Sequence, residues 1–146
     1  MNENFDKKVN QLLSYTVPVM DVDKLQQLQD DVIILDARER EEYDISHIKG
    51  AQYIGYKKLE KDKLTSIPKD TKIVVYCSVG YRSEKIGERL QKMGYTNVHN
   101  LYGSIFEWVN RGNPVVDKNE KVTTQVHTYN KKWSQWVDRP QAKKVW

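Results

Sequence analysis

The chain has 146 residues, of which 38% are hydrophobic and 30% charged, and it carries a formal net charge of +4. Those proportions predict one globular domain with a moderate core and argue against a disordered or membrane-embedded chain. The 24 basic residues are scattered among 20 acidic ones, so no nucleic-acid patch stands out and small anions are the simpler partners.

Phe5, Val9, Leu12 and Leu13 recur at helical spacing, and Pro18 closes a short amphipathic amino-terminal helix. This stretch lacks the continuous apolar run of a secretory signal, which places the expected location in the cytoplasm. Asp21 reads as the N-cap of a second helix through Leu25 and Leu28. The run Val32 to Leu35 then reads as a strand buried on both faces.

A charged segment from Arg38 to Asp44, a turn over residues 46–50 and a short strand from Ala51 to Ile54 come next. After a lysine-rich connection, Pro68 and Asp70 mark a turn before the second apolar strand, Lys72 to Tyr76. Neither apolar run is long enough to cross a bilayer, so no membrane association is expected.

From Ser83 the pattern becomes helical, with Ile86, Leu90 and Met93 on one face and Gly94 at the end. A short strand over Asn97 to Leu101 and a helix bearing Ile105, Phe106, Trp108 and Val109 complete an alternation of strands and helices. Such an alternation predicts an α/β fold, a mainly parallel central sheet with helices on both faces. Residues 1–18 form an amino-terminal helical extension on this reading, residues 19–116 the domain, and residues 117–146 a basic, Trp-containing carboxyl-terminal tail.

The chemically informative stretch is the cysteine at the carboxyl end of the second apolar strand, followed by a loop with Gly80 and then a helix. α/β sheets bind ligands at such strand ends, where converging backbone N–H groups and a helix N-terminus stabilise an anion. The prediction is a Cys77 thiolate, with Gly80 shaping the loop and Arg82 adding a positive charge. As the single cysteine, Cys77 has no internal disulfide partner, so any thiol that reacts with it comes from outside the chain. An inert buried cysteine would not account for the glycine and arginine at their offsets.

The heptapeptide Cys-Ser-Val-Gly-Tyr-Arg-Ser, Cys77 to Ser83, resembles the active-site loop of the rhodanese-like domain family. Leu35-Asp36-Ala37-Arg38 with Glu42-Tyr43, His47-Ile48-Lys49-Gly50-Ala51 with Ile54, Gly94-Tyr95, and Leu101 to Gly103 leading into Trp108 are similar to other parts of that family. Ser46 stands where the family often has glycine.

The resemblance implies a sulfurtransferase in which Cys77 takes the outer sulfur of thiosulfate or a persulfide, holds it as a persulfide, and passes it on. The acceptor would be a thiol, cyanide or a sulfur-accepting protein. Ser78, Val79, Gly80, Tyr81 and Arg82 would bind the substrate, with no cofactor and no metal. Asp36 and Arg38 read as a structural ion pair and His47 as a structural residue, while His99 and His127 show no recognisable partner.

Two other classes stay open. Cysteine phosphatases and arsenate reductases also set cysteine and arginine on an anion-binding loop, but with five intervening residues, and Arg82 falls one residue too early for that ring. A non-catalytic binding module is the other. The tail residues Lys131, Lys132, Trp133, Trp136, Arg139, Lys143 and Lys144 could contact a partner or single-stranded RNA. Exposed tryptophans would be an apolar liability, so the tail is expected to fold back and nucleic-acid binding is not expected.

Overall fold

A computed structural model describes residues 1–146. Its centre is β5 (Ile73–Tyr76), whose four residues are all buried and which pairs in parallel with β2 (Ile33–Asp36) on one side and β6 (Val98–Leu101) on the other. β1 (Val19–Met20) and β4 (Gln52–Tyr53) extend the sheet, giving the parallel order β1-β6-β5-β2-β4. An apolar run with both faces covered suits a central parallel strand, as the sequence predicts.

Alternate side chains of β5 feed two cores, one on each face. Val74 and Tyr76 point into a core built from α1 (Glu3–Leu12), α2 (Val22–Leu28) and α5 (Ser104–Asn110), with Phe5, Val9, Leu25, Ile105, Phe106 and Trp108 fully buried there. Ile73 and Val75 face the other core, where Ile86 and Leu90 of α4 (Tyr81–Lys92) pack with Leu64 and Val98. Gly87 lets α4 approach Val17, since a Cβ there would lie 2.9 Å from a Val17 methyl.

The charged stretch after β2 is a helix, α3 (Arg40–Ile45), which its lack of an apolar stripe hid from periodicity. The turn that follows carries a two-residue strand, β3 (His47–Ile48), paired antiparallel with β7 (Val115–Val116), which also pairs with β8 (Val122–Thr123). α4 begins at Tyr81, two residues before the expected start, so Tyr81 and Arg82 stand in its first turn rather than in the loop.

The carboxyl-terminal segment is folded onto the domain. β9 (Gln125–His127) and β10 (Lys143–Val145) pair in parallel and flank α6 (Lys131–Ser134), whose N-cap Asn130 accepts the Trp133 N–H at 2.9 Å. Val126 and Val137 are buried in the same core as Phe5, and the Trp136 ring stacks on Phe5 with centroids 5.6 Å apart. Trp133 and Trp136 are therefore partly buried, as expected of tryptophans that fold back, whereas Trp146 stays 58% exposed. No helix is long and apolar enough to cross a membrane.

Limited tryptic digestion is expected to spare Lys131 and Lys132 in the native protein, because both sit on a docked helix. Val126→Asp, which puts an unpaired carboxylate into the shared core, should open both sites. Cleavage of the unaltered chain there as fast as of a free peptide would contradict the docking.

Candidate active site

Cys77 is the first residue past β5 and is 1% exposed. The loop that it opens is held from two sides. The start of α5 clamps its backbone: Cys77 N–H donates to Ser104 Oγ at 3.2 Å, and Ile105 and Phe106 N–H donate to the carbonyls of Cys77 and Ser78, both at 3.1 Å. From β6, Asn100 donates through Nδ2 to the Gly80 carbonyl at 3.0 Å and accepts the Ser83 hydroxyl at 2.6 Å.

Within this frame Gly80 takes φ of +131°, a conformation disfavoured for residues with a Cβ, and its N–H points at Cys77 Sγ from 3.1 Å. Ser83 Oγ lies 3.4 Å from the sulfur, but its one proton is directed to the closer Asn100 oxygen. The sulfur thus rests at the N-terminal end of the twelve-residue helix α4 with a backbone donor aimed at it, an arrangement that can stabilise negative charge arriving there.

Arg82 occupies a different role from a free cation beside the sulfur. Its Nη1 and Nη2 donate to Glu42 Oε2 and Oε1 at 2.8 and 2.9 Å, and Nη2 also donates to Ser78 Oγ at 2.9 Å. Glu42 is 1% exposed and also accepts the Glu39 N–H at 2.9 Å. Burial alone would raise the Glu42 carboxyl, yet the hydrogen bonds and charge of Arg82 hold it below its ordinary value of 4.5. The Arg82 charge is therefore balanced within the protein.

A cavity of about 390 Å³ opens above the sulfur. Cys77, Ser78, Val79, Tyr81 and Arg82 form its floor and one side; Leu12, Tyr56, Tyr129 and Trp133 form the remainder. All five predicted loop residues are thus gathered at one place, Gly80 through its N–H and the others through the cavity lining. Glu42 and Ser83 stand in the sequence only within family-like stretches and were given no site role, and neither were Asn100, Ser104 or the wall residues from the two chain ends. Most of their partners are distant in sequence, so no local pattern gives them that role.

Asp36 and Arg38 form a fully buried pair at 2.7 Å rather than facing the cavity. His47 is likewise structural: its Nδ1 lies 3.0 Å from the Tyr43 carbonyl and its Nε2 3.1 Å from Glu120. His99 Nε2 pairs with Asn97 at 2.9 Å, and His127 Nδ1 accepts the Tyr129 N–H at 3.1 Å. No cluster of metal-ligating side chains is present.

A buried cysteine between a central parallel strand and a helix, under inward-facing backbone N–H, defines a cysteine-centred anion loop on an α/β sheet. The chain belongs to the rhodanese-like domain family, whose pattern it matches over residues 21–111. It is 38% identical over 90 residues to the tRNA uridine(34) hydroxylase of Aster yellows witches'-broom phytoplasma, covering 58% of this chain and 29% of that protein. It is 33% identical over 82 residues to the probable adenylyltransferase/sulfurtransferase MoeZ of Mycobacterium tuberculosis, covering 56% of this chain and 21% of that protein. The chain thus spans under a third of the length of these curated relatives.

Among solved structures, a rhodanese-related protein from Thermoplasma volcanium superimposes with a TM-score of 0.61 at 30% identity, covering 68% of this chain and 97% of the other. A thiosulfate sulfurtransferase from Pseudomonas aeruginosa superimposes with a TM-score of 0.66 over 92% of this chain and 26% of its own, and at 20% identity supports the fold alone.

Proposed function

We propose that the protein is a sulfurtransferase that carries sulfane sulfur on Cys77. The observation that carries this reading is the Gly80 N–H aimed from 3.1 Å at a sulfur on the floor of a cavity. The Cys77 thiolate attacks the outer sulfur of a donor, and the donor's bond to that sulfur breaks. Its electron pair departs with sulfite when thiosulfate is the donor, or with a thiolate when a persulfide is. A Cys77 persulfide anion remains, stabilised by the loop N–H and the α4 dipole.

An acceptor thiolate, cyanide or a sulfur-accepting protein then attacks the terminal sulfur and returns the electron pair to Cys77. No metal or cofactor enters either half, and a reducing compartment such as the cytoplasm suits a free thiol of this kind. The phosphatase alternative is disfavoured by Arg82, whose guanidinium faces Glu42 instead of the position of an oxyanion.

Intact mass after incubation with thiosulfate, and separately with a small persulfide, tests the reading. The expected result is a one-sulfur adduct on the native chain, absent from Cys77→Ser and removed by cyanide or a thiol. No adduct with either donor would overturn it, and release of phosphate from an aryl phosphate would favour the phosphatase.

A further inference from the structure

We infer that the two chain ends make Cys77 selective for organic sulfur donors of single negative charge, with an apolar or aromatic group next to the sulfur, over dianionic thiosulfate. The inference rests on the sulfur-transfer reading and deepens it. Leu12 comes from α1 and Tyr129 and Trp133 from the carboxyl-terminal segment, so one whole wall of the cavity lies outside the span shared with the family. That wall is apolar and aromatic.

Charge points the same way. Arg82 is the one charged residue lining the cavity, and both ends of its guanidinium are engaged by Glu42. The Tyr129 ring covers it as well, with Cζ 5.3 Å from the ring centroid. Lys8 and Lys85 stand 5.6 Å from the ring centroids of Trp133 and Tyr81, outside the lining, where they can attract an anion without entering the cavity. A thiosulfate sulfonate would shed water and find no unpaired cation in exchange.

Space permits the larger donor. Benzene fits an apolar cavity of about 150 Å³, so about 390 Å³ accommodates an aryl group together with its sulfonyl and sulfur atoms. Tyr81 and Tyr129, 44% and 54% exposed, stand at the mouth with ring surface free to meet it.

Three donors separate charge from size: thiosulfate, the methanethiosulfonate anion and the benzenethiosulfonate anion. Each gives up its terminal sulfur to the Cys77 thiolate and releases, respectively, sulfite, methanesulfinate or benzenesulfinate, with the bonding pair leaving on the sulfinate or sulfite sulfur. Rates are compared with those of a free low-molecular-weight thiol to remove intrinsic reactivity. After that correction kcat/KM should rise from thiosulfate to methanethiosulfonate, and by about tenfold or more again to benzenethiosulfonate, the scale on which apolar pockets discriminate.

Tyr129→Ala, at an exposed position that leaves the fold intact by its melting temperature, should lower the benzene-to-methane ratio several-fold. Equal corrected values for the three donors, or a ratio unchanged by Tyr129→Ala, would overturn the inference while leaving sulfur transfer standing. Failure of every donor to load Cys77 would overturn both.

Discussion

Replacing Asp36 by alanine is expected to destabilise the protein by about 3–5 kcal/mol, the usual consequence of stranding one partner of a buried ion pair. Both side chains of the pair are fully buried. Arg38 Nε donates to Asp36 Oδ1 at 3.0 Å and Nη2 to Oδ2 at 2.7 Å; Nη2 also reaches the Ser46 carbonyl at 2.7 Å. Asp36 further accepts the Arg38 N–H at 3.0 Å and the Tyr76 hydroxyl at 2.6 Å. Burial works against the Arg38 charge, but the Asp36 carboxylate raises its pKa above the ordinary value, so the guanidinium stays cationic.

Without that carboxylate the cation keeps only the charge of Glu42, which is itself hydrogen-bonded to Arg82, and its Nη1 already lacks a partner. For a chain of this length the loss corresponds to a fall in Tm of roughly 6–20 °C. Adding Arg38→Met to Asp36→Ala removes the stranded charge and should recover much of the stability. A single-variant loss below about 1 kcal/mol in urea unfolding would show that the pair matters little.

Glu42→Ala is expected to cost about 3 kcal/mol at neutral pH. The lower end of the range applies because the Arg82 side chain keeps 14% exposure and can turn toward water in the cavity. The effect depends on pH with a definite sign. The folded-state Glu42 carboxyl lies below its ordinary value of 4.5, so its stabilisation is complete above that value. It is lost as pH falls through the lower folded value, while Arg82 stays charged throughout. Melting temperatures of the native chain and Glu42→Ala should therefore differ by a constant amount from pH 7 to about pH 5.5 and converge below the ordinary carboxylate range. A gap that persists undiminished at pH 3 would show that the pair does not titrate this way.

The parts of the fold legible in the sequence are those written in short-range patterns. β2 and β5 are apolar runs of strand length, α4 repeats Ile86 and Leu90 at helical spacing, and Asp21 caps α2 as its residue type suggests. The placement of Cys77 and Gly80 was legible for the same reason, since a cysteine and a turn residue at a strand end are local features. α3 was hidden because its residues, Arg40 to Ile45, are mostly charged and its buried member is Glu42. β3 and β7 were hidden because two-residue strands have no period, and their pairing joins His47 to Val116 across most of the domain.

The candidate site divides along the same line. The sequence marks Arg82 as a cation near the sulfur, but whether that charge is available depends on Glu42, forty positions away in the chain. The Glu39–Glu42 spacing, which allows a capping contact at the start of α3, was the one local hint that Glu42 is held in place. Trp133 and Trp136 could be assigned inward from their apolar area alone, an argument that fails for Trp146, which stays exposed. That Trp133 and Tyr129 would meet Leu12 above Cys77 was beyond any such argument, because it depends on how the two ends dock.

The Phe5–Trp136 stack joins opposite ends of the sequence, and Leu12 and Trp133 from the same two segments line the cavity at Cys77. Contacts between residues so far apart bear the largest loop-closure entropy, and Trp136 is synthesised after every strand of the central sheet. A chain still emerging from synthesis therefore holds Cys77 before the carboxyl-terminal residues that line its cavity have been made. In the finished protein the two ends line the cavity that leads to Cys77, so fraying at either terminus, which asks less than melting β5, widens the path by which solvent and oxidants reach the sulfur.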